Sequence, residues 1–336
     1  MPATFDVAAV GNAIVDVIAP AEDAFLVTEG LTKGAMILID DARADMLYNR
    51  MSAGIEASGG SAGNTVAGVA SLGGRAAYIG KVADDGLGKV FRHDITAQGV
   101  HFEPRPLEVV EGGGVSPGTG RCLINVTPDG QRTMCTYLGA ANLLTPEDVD
   151  PQVVRNAAIV YLEGYLFDPD AARLAFTKAA RIARDAGRKI ALTLSDSFVV
   201  ERHRSSLLAF IDSEIDIVFA NEAEATALFQ TSDFDTAASL LAARVKTACV
   251  TRGEKGSVVI TDGASEFIPA APAKQVLDTT GAGDQYAAGV MFGMARGLSP
   301  AVCGRLGSLA ASEVIDHYGP RPQVALKTLA ANAGLI

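Results

Sequence analysis

From residue 155 onward, short apolar runs alternate with longer stretches of helical period, and this alternation constrains the fold more than any other feature of the sequence. The apolar runs that we predict to be strands are 157–162, 189–194, 216–220 and 247–251. The stretches that we predict to be helices are 168–187, 203–211, 222–229 and 235–244. Asp168 and Pro169 suit the N-cap and first position of the first helix, and Gly187 suits its C-terminal cap. Strands that alternate with helices indicate an α/β domain whose parallel sheet is covered on both faces.

The first 140 residues follow a different pattern, rich in short extended runs. The predicted elements are strands at 5–10, 14–18 and 35–39, a helical stretch at about 61–100 and a hairpin at 119–138. Asp129-Gly130, between two alternating runs, is a good hairpin signal. We therefore expect a large α/β domain of residues 1–11, 41–110 and 140–336, with a small β-rich appendage of residues 12–40 and 111–139. The appendage would serve as a lid, and because its hairpin is equally suited to a dimer interface, a monomer and a homodimer both remain open.

Composition narrows the partners and the compartment. The 336 residues include 28 basic and 39 acidic side chains, a formal net charge of −11, which argues against nucleic acid or an anionic membrane as the main partner. The N-terminal residues lack a basic signal-peptide region, and no run approaches the roughly 18 apolar residues of a membrane helix. The cysteines are scattered and lack metal-site spacing, so we expect reduced core or strand residues of a cytoplasmic protein at Cys122, Cys135, Cys249 and Cys303.

Polar and glycine residues collect directly after the predicted strands. Ligands of parallel sheets bind beyond the carboxyl ends of the strands. The residues at those positions are Gly11 and Asn12, Ser195 and Asp196, Asn221 to Glu224, Thr251 to Gly253, and Thr279 to Asp284 after the segment 274–278. The pattern predicts that an active-site rim lies along one edge of the sheet.

The sharpest of these segments is DTTGAGDQYAAG, from Asp278 to Gly289. Gly281 and Gly283 allow an abrupt turn that exposes consecutive N–H groups at the start of a predicted helix, where the helix dipole stabilises phosphate charge. The Asp284 carboxylate lies in the first turn and could accept a proton from a substrate hydroxyl. The spacing of a bare GxGD leaves open an ordinary turn whose carboxylate only complements the helix dipole.

Four motifs together resemble those of the ribokinase-like (PfkB) carbohydrate kinase family. DTTGAGDQYAAG resembles its C-terminal signature, SGGSAGN at 58–64 its N-terminal signature, NEAE at 221–224 its metal-linked motif, and TRGEKG at 251–256 its nucleotide-binding motif. Their order and spacing match the family over nearly the whole chain, whereas a Walker P-loop and a dinucleotide-binding GxGxxG after the first strand are missing. The resemblance implies a three-layer α/β/α sandwich with a mainly parallel sheet and a small β-sheet lid. It also implies an ATP- and Mg²⁺-dependent kinase.

The resemblance also assigns roles to individual residues. It implies that Asp284 is the general base, and that the N–H groups of Gly281, Ala282, Gly283 and Asp284 hold the transferring phosphoryl group. It implies that Glu224 holds Mg²⁺ through water together with Asn221, and it leaves a monovalent-cation requirement open. The implied ATP-binding residues are Asn221, Thr251, Gly253, Gly256 and Thr280. A helix cap with a solvated acid at 221–224, and a simple turn after Thr251, are the alternatives.

For the acceptor, the resemblance implies a set of residues that bind sugar hydroxyls: Asn12, Asp16, Gly59, Gly60, Ser61 and Asn64. A carboxylate can accept hydrogen bonds from two vicinal hydroxyls, as in a ribose. Asp16 interrupts the apolar run AIVDVIA, which is unfavourable unless its charge is paired or exposed. This position therefore favours a binding role over a structural one.

Several stretches are similar to the adenosine kinases of this family, namely 7–16, 58–64, 131–142, 161–167 and 192–198. Tyr165 and Phe198 stand at predicted strand ends, where they could stack on a purine, although core positions suit them equally. Arg132, beyond the hairpin turn, would contact phosphates when the lid closes or would be an exposed charge. We expect phosphorylation of a primary hydroxyl, above all that of adenosine to AMP in purine salvage. A kinase for ribose, fructose or 2-keto-3-deoxygluconate and a non-catalytic nucleoside-binding regulator are the alternatives.

Overall fold

The computed structural model describes residues 3–105, 107 and 116–336 of the chain. Their strands are β1 Phe5–Val10, β2 Ile14–Pro20, β3 Met36–Leu38, β4 Ile55–Ser58, β5 Ala76–Ile79, β6 Val100–His101, β7 Gly120–Val126, β8 Arg132–Tyr137, β9 Ala157–Glu163, β10 Lys189–Thr193, β11 Ile217–Asn221, β12 Thr247–Thr251, β13 Ser257–Thr261 and β14 Ala264–Ile268. Their α-helices are α1 Asp23–Thr28, α2 Asp41–Tyr48, α3 Ser61–Ser71, α4 Gly86–Ala97, α5 Pro151–Arg155, α6 Asp170–Asp185, α7 Ser197–Glu214, α8 Glu222–Phe229, α9 Phe234–Ala242, α10 Ala282–Ala295, α11 Pro300–Val314 and α12 Leu326–Asn332. Short 3₁₀ turns occupy Gly139–Leu143, Pro146–Asp148, Gly164–Phe167 and Gly253–Lys255.

A nine-stranded sheet in the order β14-β13-β12-β11-β10-β9-β1-β5-β6 forms the centre of the large domain. Its pairs from β12 to β6 are parallel, and β13 and β14 complete one edge in antiparallel fashion. Successive residues of β1 face opposite sides, so that Val7 joins one apolar cluster and Ala8 the other. Helices α3 and α10 cover the first face, and α6 and α8 cover the second. The predicted three-layer α/β/α sandwich is confirmed.

A second sheet of five strands, in the order β3-β8-β7-β2-β4, forms the appendage. The predicted hairpin is confirmed by the antiparallel pairing of β7 with β8. The predicted boundary at residue 40 is wrong, because β4 pairs with β2 and helix α2 packs on β7 and β8. Residues 41–58 thus extend the appendage, and the four residues of β4 are too few for an alternation to reveal this pairing. The expected boundary at residues 110 and 111 lies outside the described residues.

Three predicted helical segments need correction. The stretch 61–100 contains α3, β5, α4 and β6 in turn, since α3 ends before Gly73, whose φ is +82°. Helix α6 begins at Asp170 with Pro169 as its N-cap, because the Asp168 carboxylate accepts hydrogen bonds from Arg202 instead of capping the helix. Helix α7 is longer than the predicted 203–211 and has non-helical backbone angles at His203.

The four cysteines are buried, as expected, with three on strands and Cys303 on α11. Within the ranges that the structure describes, no helix combines the length and the apolar character needed to cross a membrane.

Candidate active site

A cavity of about 680 Å³ lies between the carboxyl ends of the central strands and the inner face of the small sheet. Strands β1 and β9 to β12 end at one wall, and β2, β3, β7 and β8 contribute the opposite wall. The predicted site residues that line the cavity are Asn12, Asp16, Gly60, Ser61, Asn64, Tyr165, Phe198, Asn221, Glu224, Thr251, Thr280, Gly281, Gly283 and Asp284. The predicted residues that lie outside its lining are Gly59, Arg132, Gly253, Gly256 and Ala282. The structure thus gathers into one place residues that are up to 272 positions apart in the sequence.

Asp284 stands at the third position of helix α10, with both carboxylate oxygens held by side chains of helix α3. The Ser61 hydroxyl donates to its Oδ1 at 2.6 Å, and the Asn64 amide donates to its Oδ2 at 3.0 Å. Burial raises the pKa of Asp284 above its usual range, while these two hydrogen bonds and the nearby Arg321 cation act in the opposite direction. An oriented carboxylate with a raised pKa has the properties of a general base.

The start of helix α10 is a potential anion site. Gly281, its N-cap, has a φ of +76°, and a Cβ there would lie 2.7 Å from the side chain of Pro320, so only glycine suits this position. The backbone N–H groups of Gly281, Gly283 and Asp284 have no acceptor among the described residues. Ala282 was predicted as a further donor, but its N–H already donates to the Thr279 carbonyl at 3.2 Å. Three free N–H groups at the positive end of a helix dipole can stabilise a phosphoryl group.

The side of the cavity that was predicted to bind hydroxyls is built around a buried carboxylate that our sequence reasoning missed. Glu163, at the end of β9, accepts hydrogen bonds from the Asn12 amide at 2.8 Å and from the Ala62 N–H at 2.9 Å, which fixes Asn12 at the cavity wall. Asp16 is buried on β2, and burial raises its pKa to about 7. Gly59 packs directly on Asp16, since a Cβ at that glycine would lie 2.3 Å from the Asp16 carboxyl carbon. No motif marked Glu163, which ends an otherwise apolar strand.

Asn221 and Glu224 form a capping box at the start of helix α8. The Asn221 backbone N–H and side-chain amide donate to the two oxygens of Glu224 at 3.0 and 2.7 Å. The alternative of a solvated acid is wrong, because Glu224 is buried at the cavity wall, where burial raises its pKa to about 7.

The oxygen atoms of Glu224 and Asn221 are of the kind that Mg²⁺ prefers as ligands. Carboxylate and amide oxygens are hard ligands, and each Glu224 oxygen retains a lone pair for a water. Among the described residues, no cluster of three or more His, Cys, Asp or Glu side chains could enclose a metal. Mg²⁺ is usually held by one or two carboxylates together with waters and phosphates, and Glu224 with Asn221 suits that arrangement.

The predicted nucleotide side is only partly assembled around the cavity. Thr251, at the end of β12, and Thr280, beside the anion site, contribute to its lining. Gly253 begins the 3₁₀ turn after β12 and Gly256 follows that turn, and neither glycine is among the lining residues.

Apolar side chains cover the opposite wall of the cavity. Met36 and Leu38 of β3, Ile124 of β7 and Met134 of β8 face it from the small sheet. From the large domain, Phe198 lines the same cavity with 66% of its surface exposed, so the alternative of a core position is wrong for this residue. Tyr165 both packs against the core and lines the cavity. These side chains form an open apolar cleft, which we call the lid cleft.

Two arginines join the lid to the large domain. Arg132, on β8, is buried and its guanidinium lies 3.0 Å from the Asp278 carboxylate, so the alternative of an exposed charge is wrong. Arg321, after α11, is half-buried, lies outside the cavity lining and donates to Asn64 Oδ1 at 2.8 Å. Sequence reasoning missed Arg321, because a lone arginine between two prolines belongs to no motif.

Comparison with known proteins agrees with this geometry. The family model for pfkB family carbohydrate kinases matches residues 6–326. The sequence is 27% identical over 334 residues to the adenosine kinase of Saccharomyces cerevisiae, with 92% of this chain and 94% of that protein covered.

Two solved structures have the same fold. The adenosine kinase from Sinorhizobium meliloti superimposes with a TM-score of 0.91 at 55% identity, covering 98% of this chain and 100% of that chain. A probable sugar kinase protein from Rhizobium etli CFN 42 superimposes with a TM-score of 0.92 at 50% identity, covering 99% and 100%.

Proposed function

Since the chain belongs to the pfkB family of carbohydrate kinases, we propose that it transfers the γ-phosphoryl group of ATP to the 5′-hydroxyl of adenosine. The observation that carries this proposal is the position of the lid cleft. Its aromatic and thioether side chains lie in the same cavity as Asp16, Asn12 and Asp284. A nucleoside presents an apolar base and a polar ribose, and the two halves of the cavity match them.

The mechanism follows from the three groups around the start of helix α10. The Asp284 carboxylate takes the proton of the acceptor hydroxyl while the hydroxyl oxygen forms its bond to the γ-phosphorus. The bond between that phosphorus and the bridging oxygen of ADP breaks in the same step. The free N–H groups of Gly281, Gly283 and Asp284 stabilise the charge on the transferring group, and Mg²⁺, when bound near Glu224, neutralises phosphate charge.

Asp16, Asn12 and Glu163 would together orient the ribose. The Asp16 carboxylate would accept hydrogen bonds from the vicinal hydroxyls, and the Asn12 amide would exchange hydrogen bonds with them, because both residues line the cavity. Glu163 would act indirectly, by holding Asn12 in place. With those hydroxyls bound, the remaining primary hydroxyl is the one left for Asp284. Arg132, whose charge is matched by Asp278, would extend toward the phosphates once the lid closes.

A kinase for a free sugar is the second candidate. The specific observation in its favour is that the hydroxyl-binding residues Asn12, Asp16 and Asn64 would suit a free ribose or fructose as well as a nucleoside. The likeness to the Rhizobium etli protein, described as a probable sugar kinase, also supports it. The free sugar would leave the lid cleft unfilled, and therefore we place adenosine first. The four cysteines are buried thiols, which suits a reducing compartment such as the cytoplasm. Formation of AMP from adenosine would place the reaction in purine salvage.

The test is ADP release with ATP and Mg²⁺ across one set of acceptors: adenosine, other nucleosides, ribose, fructose and 2-keto-3-deoxygluconate. We expect kcat/KM for adenosine to exceed that for every free sugar by at least about 100-fold, the effect of roughly 2.7 kcal/mol of base binding. Higher kcat/KM for a free sugar would replace adenosine as the acceptor and keep the kinase mechanism. A nucleoside that binds without any ADP release would contradict the mechanism itself.

A further inference from the structure

A half-buried guanidinium lies behind the candidate active site without contributing to the cavity wall. Arg321 follows helix α11 and donates hydrogen bonds to three elements at once. Its Nε donates to Asn64 Oδ1 at 2.8 Å, one terminal nitrogen to Gln98 Oε1 at 2.8 Å, and the other to the Ser58 carbonyl at 2.7 Å. A guanidinium with this many partners is fixed in position and orientation.

The bond to Asn64 determines which way that amide faces. Because Arg321 has no acceptor, it must meet the oxygen of the amide, and the amide NH₂ is then directed at Asp284 Oδ2, 3.0 Å away. If the amide turned over, its NH₂ would face the guanidinium and its oxygen would face the carboxylate. Arg321 therefore holds the donor that orients the base.

The bond to Ser58 connects the same arginine to the lid. Ser58 is the last residue of β4, and the next residue, Gly59, packs on Asp16. The Ser58 hydroxyl in turn donates to Asp94 of α4 at 2.5 Å, and Gln98 caps the end of that helix. The strand that leads from the lid back to α3 and the amide that orients Asp284 thus share one guanidinium.

We propose that Arg321 is a positioning residue for phosphoryl transfer: it fixes the Asn64 amide that orients Asp284 and links that amide to the β4 end of the lid. The proposal deepens the proposed function and rests on it. Arg321 touches neither the cavity nor, by this account, any substrate.

Its charge supports the same role. The Arg321 cation lowers the pKa of both Asp16 and Asp284, against the effect of burial on each. The titratable and charged groups that face Asp284 are Asp16, Tyr161, Glu163, Tyr165, Glu224 and Arg321. Those that face Asp16 are Asp284, Arg321, Arg132, Asp278 and Cys122. Among the groups around Asp284, Arg321 is the cation, so its removal leaves a group of acids.

The experiment compares Arg321→Gln with Arg321→Lys by the pH profile of kcat/KM on whichever acceptor the wild type uses. In Arg321→Gln we expect the acidic limb to move up by about one pH unit, which is about a tenfold loss below it. Arg321→Lys keeps the positive charge but loses the planar guanidinium with its several N–H donors. In this variant we expect the acidic limb of the pH profile to stay at the wild-type pH and kcat to fall with little change in KM. Lys81→Met is the matched control, since it removes a buried cation paired with Asp148 and should leave the profile unchanged.

Gln98→Leu is the second variant, because it loosens Arg321 without removing any charge or touching Asn64. We expect it to lower kcat several-fold with an unchanged acidic limb. An unmoved limb in Arg321→Gln together with kcat within twofold of wild type in Gln98→Leu would overturn the proposal.

A readout that needs no acceptor separates this proposal from the proposed function. In Arg321→Gln the folded-state pKa values of Asp16 and Asp284 rise further, so the loss of unfolding free energy relative to wild type should grow between pH 5 and pH 8. A loss that is equal at both pH values would refute the proposal for Arg321, whichever acceptor the wild type uses. A wild type that is inactive on adenosine refutes the proposed function alone.

Discussion

Replacing Asp284 by Asn separates the general base from the fold around it. An Asn at this position can keep both hydrogen bonds. Its oxygen can accept from Asn64, and its NH₂ can donate to the Ser61 hydroxyl, which then accepts a hydrogen bond instead of donating one. The substitution also removes a buried charge. We therefore expect the free energy of unfolding to change by less than about 1 kcal/mol.

The rate should respond very differently. Without a carboxylate to take the hydroxyl proton, we expect kcat to fall by roughly 10²–10⁴. This corresponds to about 3–5 kcal/mol of barrier, several times the expected change in stability. The KM values for both substrates should stay within about threefold, since Asn12 and Asp16 are untouched.

The assay is coupled ADP release with urea unfolding of the same preparations. Asp170→Asn is the matched control, because Asp170 also lies in the first turn of a helix, α6, but is exposed and does not line the cavity. If Asp284 only complemented the helix dipole, both variants would behave alike. Turnover by Asp284→Asn within tenfold of wild type, with the fold intact, would refute the reasoning.

Three further predictions concern the other walls of the cavity. Phe198→Ala should raise the KM for adenosine about tenfold through the loss of roughly 1–1.5 kcal/mol of stacking. The melting temperature should stay unchanged, because Phe198 is 66% exposed. Steady-state kinetics and thermal unfolding test this, and an unchanged KM would contradict it. Burial raises the pKa of Glu224 to about 7, so the charged form that holds Mg²⁺ gains population as the pH rises through that value. The apparent Mg²⁺ affinity of the wild type should therefore increase from pH 6 to pH 8, and that of Glu224→Gln should be lower and flat; equal pH dependence in both would count against this site. Glu163→Gln places an amide NH₂ against the N–H of Ala62 or the amide of Asn12. It should therefore lower the unfolding free energy by about 1–3 kcal/mol and raise the KM for the acceptor. Urea unfolding and steady-state kinetics measure the two effects, and unaltered values would exclude the role of Glu163.

The sequence predicted the parts of the fold that repeat. Strands β9 to β12 are apolar runs separated by helices long enough to cover a sheet, so both their pairing and the edge that carries the site follow from the pattern. Strand β5 was missed because Ala76–Ile79 is only four residues long and closely follows a glycine pair. Strand β4 was missed because its place in the lid depends on main-chain pairing with β2, and the pattern of side chains along β4 does not indicate its pairing partner.

The candidate site was predictable where glycine and polar residues form a local motif. Asp284, Gly281 and the Asn221-to-Glu224 capping box are of this kind. Glu163 and Arg321 were not predictable, because each acts through partners more than 100 residues away in the sequence. Tyr165 and Phe198 of the lid cleft were predicted, but the apolar side chains that the small sheet contributes were missed, since strand alternation does not indicate which face of a sheet will cover a ligand.

By the proposed mechanism, the Asp284 carboxylate takes the proton of the primary hydroxyl of a nucleoside whose base lies in the lid cleft. The most direct measurement is the position of the transferred phosphoryl group, determined by incubating the protein with ATP labelled at the γ-phosphate, Mg²⁺ and adenosine, with 5′-deoxyadenosine in parallel. The account predicts labelled 5′-AMP from adenosine, and from 5′-deoxyadenosine binding without any labelled product. Label on another hydroxyl, or transfer to 5′-deoxyadenosine, would contradict it.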